Sequence, residues 1–392
     1  MSRPTRVLVV SESPPSLDPA HGNGATLILG KVLPRLDSAT ELDLVYYDDR
    51  PVGPERDVVD RCRTVRRLPT RPAPVALVGQ VMTRLPKATW QRDTSAARDL
   101  IGALEVDADV VYLHGLHTFS LANRRRVPVV ANEIDPLSVF WSQVAARAPA
   151  PQRLYYALQA RRAARLEQVT GERVSAYVVV NREDALGLQQ RLGRRVTAIP
   201  NGVEFPSAVR RDASGVQTDT VAFVGSLDYA PNIEAVERLI SRVFPLVRRR
   251  HRDARLLIAG RKPAPALLDM RLEGIEVLGE VERVEDVFAT SAVAVSPGLT
   301  GTGTKNTVIE ALAAGCPVVA SPEAARGLGE NSPVVRAGSD EALASEIVAL
   351  MLDPERRELV GAEGPRFVSQ LPDWDEVAER FSALFSQAAS HG

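Results

Sequence analysis

Short apolar runs alternate with helical stretches along the whole chain. The first half holds Arg6–Ser11 (RVLVVS), Leu42–Tyr47 (LDLVYY), Asp109–Leu113 (DVVYL), Val127–Asn132 (VPVVAN), Val174–Val180 (VSAYVVV) and Val196–Pro200 (VTAIP). The second half holds Thr220–Gly225 (TVAFVG), Ala254–Gly260 (ARLLIAG), Ile275–Gly279 (IEVLG), Ala292–Ser296 (AVAVS) and Pro317–Ser321 (PVVAS). These runs are near-continuously apolar rather than alternating. That pattern predicts strands of parallel sheets covered on both faces. Strands and helices in this succession divide into two doubly wound α/β domains. The stretch Phe205–Asp219 (FPSAVRRDASGVQTD) is polar, carries Pro and Gly and has no period, so it reads as the linker. The expected organisation is an N-terminal domain over 1–205, a C-terminal domain over 206–371 and a closing helix over 372–392.

The helical pattern is equally legible. Ala25–Leu36, a single long stretch Leu137–Thr170 ending at Gly171, Thr304–Ala314, Ser339–Leu352 and Pro354–Gln370 all read as helices. The last, Asp373–Ser390, puts Trp374, Val377, Phe381, Leu384 and Phe385 on one stripe, with Asp373 and Glu376 as an N-terminal cap. That stripe is too apolar to leave in water and is expected to be buried; packing on its own neighbouring domain is one reading, and crossing back to the N-terminal domain is what the family resemblance described below implies.

Composition narrows the class. The 392 residues are 45% hydrophobic and 25% charged, with a net charge of −1, so nothing argues for nucleic-acid binding. The two cysteines, Cys62 and Cys316, have no metal-ligand spacing around them, and Cys316 reads as a small buried residue. The first strand starts almost at once, and no apolar run approaches the ~18 residues of a membrane span. A cytoplasmic protein is expected, with at most peripheral contact to the inner face of a membrane. Pro74–Leu85 (PVALVGQVMTRL), with its basic neighbours, is a candidate for touching a membrane or an apolar acceptor; a loop packed on its own domain is the alternative.

Candidate chemistry gathers where strands end. In Ser296–Ser321 (SPGLTGTGTKNTVIEALAAGCPVVAS), a strand, a Gly/Thr-rich turn, a helix and a second strand make a βαβ unit. Gly315 reads as the residue just past the helix, with Pro317 as the stop. The turn is not a nucleotide-hydrolysing P-loop, because Lys305 falls one place late for that spacing. It still feeds a helix N-terminus, where amides and the helix dipole favour an anion, and Lys305 adds a full charge. The reading is a phosphate or diphosphate site around Gly303, Thr304 and Lys305; a solvated turn is the alternative. Asn306 and Glu310 lie four apart and are expected on one stripe with Gly303. Glu310 there is a candidate acceptor for two ribose hydroxyls, against the alternative of a solvated glutamate. Other strand ends offer Gly22, Asn23 and Gly24 before a helix, and Gly225 and Ser226 in GSLDYAPN before another. His114 and His117 follow Leu113, and Glu133 and Asp135 follow Asn132. His114 is placed to bond a substrate hydroxyl, and the carboxylates suit acceptor binding or base work. Structural histidines and helix caps are the alternatives.

Taken together these segments resemble glycosyltransferase family 4, the retaining GT-B enzymes. The resemblance rests on FVGSLDYAPN (223–232), LLIAGRKP (256–263), GIEVLGEVERVEDVFATSAVAVSP (274–297), GTGTKNTVIEALAAGCPVVAS (301–321) and IPNGVEF (199–205). It implies two Rossmann-like parallel-sheet domains facing across a cleft, with a nucleotide-sugar donor held mainly by the C-terminal one. By resemblance, Glu310 matches the ribose-binding glutamate and Lys305 with the amides near Gly303–Thr304 the diphosphate site. His114 matches a donor-sugar contact, and Gly22–Gly24 the N-terminal loop over the phosphates. The implied reaction transfers a sugar, with retention, to a sugar, lipid-linked or small-molecule acceptor, with Lys305, His114 and Asp135 as catalytic candidates and no cofactor or metal. Two departures stand out. Thr302 occupies the place of the first glutamate of the family's Glu-x7-Glu motif, and GSLDYAPN lacks the usual Arg and Lys, leaving Lys305 and Arg261 to supply charge. The alternatives are another GT-B enzyme, such as an epimerase or phosphorylase, and a non-catalytic paralogue that binds a partner.

Overall fold

The near-continuous apolar strands assemble into two separate parallel sheets. In the computed structural model, residues 3–18, 24–47, 53–72, 83–123, 125–204, 215–300 and 302–390 are described. One compact unit comprises residues 1–202 together with 372–392, and the other residues 203–371.

The first unit carries β1 (Thr5–Ser11), β2 (Thr40–Tyr47), β3 (Cys62–Leu68), β4 (Val110–His114), β5 (Val129–Ile134), β6 (Ala176–Val179) and β7 (Thr197–Ala198), in the order β3-β2-β1-β4-β5-β6-β7. The second carries β8 (Gln217–Val224), β9 (Arg255–Ala259), β10 (Ile275–Gly279), β11 (Ser291–Ser296), β12 (Val318–Ala320) and β13 (Val335–Arg336), in the order β10-β9-β8-β11-β12-β13. Every pairing is parallel, as buried apolar strands require. In each sheet the order reverses once, between β1 and β4 and between β8 and β11. A crevice opens at such a switch point beyond the carboxyl ends of the strands.

All eleven expected strands are present, and two more were not foreseen. β3 is the sequence CRTVRRL at a sheet edge, half-exposed and rich in arginine, so it lacks the apolar run of a buried strand. β13 is only two residues long. The long stretch Leu137–Thr170 is not one helix but two, Leu137–Arg147 and Ala150–Gly171. Pro149 cannot continue a helix and forces Ala148 into extended backbone, so the chain turns back on itself there. The glycine-rich loop's helix starts later than expected, at Asn306, and Lys305 is its N-cap residue with extended backbone. Gly315, at φ 71°, is past the helix end, as read. Gln217–Asp219 belong to β8 rather than to a linker, and residues 205–214 and 73–82 lie outside the described residues.

The closing helix, Trp374–Ser390, packs on β1, β4, β5 and the helix Gly24–Val32. Its first turn is capped by Asp373, whose Oδ1 accepts from the amide of Glu376 at 2.8 Å. Trp374, Val377, Phe381 and Phe385 are buried. Phe381 and Phe385 meet Tyr112 of β4 edge-on, with ring centroids 5.7 and 5.1 Å apart. Each such burial is worth about 1.5–3 kcal/mol.

Candidate functional site

The switch point of the second unit joins three loops. The loop after β11 is pinned at residues 297, 298 and 300. Arg238 Nη1 donates to the carbonyl of Pro297 at 2.6 Å, Ser321 Oγ donates to the carbonyl of Gly298, and Thr300 Oγ1 donates to Glu234 Oε2 at 3.1 Å. Lys305 has no side-chain bond to the first turn. Its ammonium instead lies over the ring of Tyr229, 5.9 Å from the centroid, in the loop after β8.

That second loop is tied to the third, after β9. The amide of Gly225 donates to Ala259 and that of Leu227 to Arg261, at 3.1 and 2.9 Å. Gly260 sits so close that a Cβ there would lie 1.7 Å from the carbonyl oxygen of Gly225, so only glycine fits. Arg261 Nε then donates to Ser226 Oγ at 3.0 Å, Ser226 Oγ donates to Asp228 Oδ1 at 2.7 Å, and Lys262 Nζ lies 3.5 Å from Asp228 Oδ2. The Ser226 hydroxyl holds the Asp228 carboxyl below its ordinary range. Two of the cations, Arg261 and Lys262, are thus organised around one serine and one carboxylate beside the loop that bears Lys305. Lys262 and Asp228 were missed in sequence; the signal was the RK pair that directly follows a strand end and Gly260.

Glu310 follows one turn inside the loop helix. It is half-buried, and burial first, then the charge of Glu285, raises its carboxyl to about 7. Asn306, four residues earlier, is exposed. Gly303 does not share their stripe: it lies in the turn ahead of the helix, at φ 75°. The structure ties Arg261 to Ser226 and sets Lys305, at the start of the Asn306 helix, over Tyr229 in the same loop as Ser226, with Glu310 on that helix.

The first unit's candidates divide differently. Gly22 and Asn23 lie outside the described residues, and Gly24 opens the helix Gly24–Val32. His114 is fully buried with both ring nitrogens engaged: Nε2 faces the carbonyl of Ala25 at 2.9 Å and Nδ1 faces Tyr112 Oη at 3.0 Å. The carbonyl can only accept, so Nε2 carries the proton and Nδ1 accepts from Tyr112, whose hydroxyl in turn accepts from Asn132 Nδ2 at 2.8 Å. Burial lowers the imidazole to about 4. A neutral ring so engaged anchors the start of the Gly24–Val32 helix; the expected hydroxyl contact from His114 has no ring nitrogen left to make it here. His117 Nδ1 pairs with Thr89 Oγ1 at 3.1 Å. Glu12, just after β1, was missed: its Oε2 accepts from the amide of His117 at 3.2 Å, and its carboxyl lies against Gly115.

Glu133 is buried in a structural role. It accepts from the amide of Leu137 at 3.0 Å, capping the next helix, and from Tyr177 Oη at 2.6 Å. Glu167 beside it accepts from the amide and hydroxyl of Ser138 and pairs with Arg191. Burial first, then the charge of Glu167, lifts the Glu133 carboxyl well above its ordinary range. Asp135 is half-buried two residues on. Cys316 is buried, as expected of a small core residue. Among the described residues no group of three or more His, Cys, Asp or Glu is placed to hold a metal ion.

Two parallel-sheet α/β units with crevices at their switch points define the GT-B class of fold. The solved structures agree: sucrose-phosphate synthase from Thermosynechococcus elongatus superposes with a TM-score of 0.71 at 17% identity, covering 99% of this chain and 100% of that one. Anabaena HepE, solved in complex with UDP and glucose, gives a TM-score of 0.64 at 13% identity over 97% and 99% of the two chains. At the level of family, residues 218–353, within the second unit, match the model described as "Glycosyl transferases group 1". A phosphatidyl-myo-inositol mannosyltransferase of Mycobacterium leprae is 31% identical over 215 residues, 52% of this chain. The match spans 56% of that relative's length.

Proposed function

We propose that this protein transfers a sugar, with retention at the anomeric carbon, from a nucleotide-sugar donor held by the second unit to an acceptor hydroxyl. The observation that carries the reading is the meeting of Lys305, at the N-cap of the Asn306–Ala313 helix, with the Ser226–Arg261 loops at the β8/β11 switch point. A diphosphate placed there meets two fixed cations and a helix N-terminus. Breaking the sugar–phosphate bond concentrates negative charge on that leaving group. Preorganised cations and amides stabilise it more in the transition state than in the ground state. Protein charge takes the part a metal would otherwise play, so no cofactor is required beyond the nucleotide-sugar donor, a cosubstrate.

Glu310, as a carboxylate, accepts from the ribose hydroxyls. Thr302 supplies a hydroxyl where the family has a carboxylate, so the donor sugar is recognised differently in this chain. The neighbour solved with UDP and glucose supports a UDP-linked sugar as donor, and the mannosyltransferase relative supports mannose and a lipid-linked acceptor. We place the protein in the cytoplasm, at most peripheral to a membrane; among the described residues no helix is long and apolar enough to cross one.

The test is donor hydrolysis across a panel of nucleotide sugars, with and without EDTA. Turnover of one donor that survives chelation and yields the α-anomeric product of an α-donor is expected. No binding or turnover of any nucleotide sugar would leave a non-catalytic role.

A further inference from the structure

The helical hairpin of the first unit has a surface that the reaction does not use. Its second helix, Ala150–Gly171, buries Gln159, Ala160, Ala163, Leu166, Glu167 and Thr170 on one side. The opposite side carries Leu154, Leu158, Arg161 and Arg165 at successive spacings of four, three and four, which is one stripe of a helix. Leu154 is 76% exposed, Leu158 42% and the adjacent Tyr155 44%. Arg161 and Arg165 are exposed as well. Behind Tyr155, Tyr156 stacks on Trp141 of the first helix, with ring centroids 5.6 Å apart and planes 9° from parallel, so the aromatic end is braced.

Charge decides what fits. Between residues 137 and 171 the sequence has five arginines and one acid, Glu167. Glu167 is fully buried and paired with Arg191, so the outer face of the hairpin presents cations and apolar side chains and no carboxylate. The chain as a whole is near neutral, at −1, so this face is a local departure and not a general basicity. Leucine and tyrosine set beside arginines, with no acid among them, match the interfacial zone of a bilayer, where apolar groups enter and arginines meet phosphates.

We propose that the outer face of the Leu137–Gly171 hairpin docks on an anionic phospholipid surface. Only the purpose rests on the reading above: docking brings the protein to a lipid-carried acceptor. The lipid contact itself needs no sugar transfer.

The experiment is flotation of the full chain with vesicles of phosphatidylcholine alone or of phosphatidylcholine mixed with phosphatidylglycerol. Binding to the mixed vesicles only is expected, weakening as salt rises. Arg161→Glu with Arg165→Glu should lower the partition by at least about ten-fold, since each surface arginine contributes appreciably. Leu154→Ser with Leu158→Ser should lower it by a similar factor, which a purely ionic contact would not show. Both pairs are exposed, so circular dichroism and donor hydrolysis should match the parent. Equal binding to both vesicles, no binding, or binding unchanged by either pair overturns the proposal, as does capture of RNA or acidic peptide in preference to mixed vesicles. A chain that floats with anionic vesicles yet turns over no donor refutes the transferase reading and leaves the docking face intact.

Discussion

The ammonium of Lys305 stands 5.9 Å from the centre of the Tyr229 ring, joining the loop after β11 to the loop after β8. Lys305→Ala should lower turnover on the order of a hundred-fold, the usual cost of one transition-state donor. The melting temperature should barely move. Tyr229→Leu removes the ring and keeps the charge; an exposed cation–π contact of about 0.5–1 kcal/mol makes its effect only about two- to five-fold. Equal turnover in parent and Lys305→Ala would reduce Lys305 to a surface charge.

Arg261 is aimed by Ser226. Arg261→Ala should weaken donor binding by about 1.5–3 kcal/mol, the range for a charged hydrogen bond. Ser226→Ala should cost less, because it leaves the cation and loosens its orientation. Calorimetry with nucleoside diphosphate separates the two; a Ser226→Ala loss larger than that of Arg261→Ala would mean the serine contacts the ligand itself.

Glu310 gives a pH signature. Its carboxyl moves from an ordinary 4.5 to about 7 in the folded protein, through burial first and Glu285 second. The folded state holds that proton more tightly than the unfolded chain. This group's contribution to stability is therefore complete below pH 4.5 and is lost as pH rises through about 7. Donor affinity runs the opposite way, because the carboxylate is the form that accepts from hydroxyls. Glu310→Gln should flatten both profiles, and Glu310→Ala should cost about 1.5–3 kcal/mol of donor binding. A donor affinity that falls with rising pH in the parent would contradict the assignment.

The Glu133–Glu167 pair acts on stability alone. Glu133 is raised well above its ordinary range by burial and by Glu167, so stability should decline as pH climbs above the ordinary carboxylate range. Glu133→Gln removes the titration, so its melting temperature should lose that slope; the glutamine oxygen still accepts from the Leu137 amide, while its NH2 can only donate to the Tyr177 hydroxyl, which must turn to accept. Glu167→Ala leaves the Ser138 donors buried without their acceptor, while Arg191, about one third exposed, turns to water, so it should cost about 1–3 kcal/mol. Thermal melts across pH distinguish these outcomes.

Buried strands announce themselves, which is why β1, β4, β8 and β11 were legible and the edge strand β3, with its three arginines, was not. Local rules also misjudged continuity. Ala- and Arg-rich sequence on both sides of Pro149 looked like one helix, although the proline alone was enough to break it. At the site, Lys305 could be read because it stands at a helix N-terminus, and Arg261 because the family resemblance called for a cation there. The Asp228–Lys262 pairing could not, since it depends on two loops meeting, and neither could the enclosure of His114 by Tyr112 and the Ala25 carbonyl. Strand-end position marks where chemistry can occur; it does not tell which side chains turn inward.

Phe381 tests the closing helix. It is buried against Tyr112 and Phe385. Phe381→Ala should cost about 3–5 kcal/mol through lost contact and the cavity left behind. A melting temperature within a degree or so of the parent would show that the helix contributes little to the first unit.

That helix also imposes an order on birth at the ribosome. Tyr112, Val9 and Val178 are made early, yet their cover, Trp374, Val377, Phe381 and Phe385, is translated only after all of residues 203–371. The second unit can finish folding while part of one sheet face of the first, beside the Gly24–Val32 helix, still waits uncovered. The nascent chain thus carries an exposed apolar patch through about half of its synthesis, a natural landing place for a chaperone, and a ribosome stalled before residue 374 would release a chain whose first unit lacks that cover.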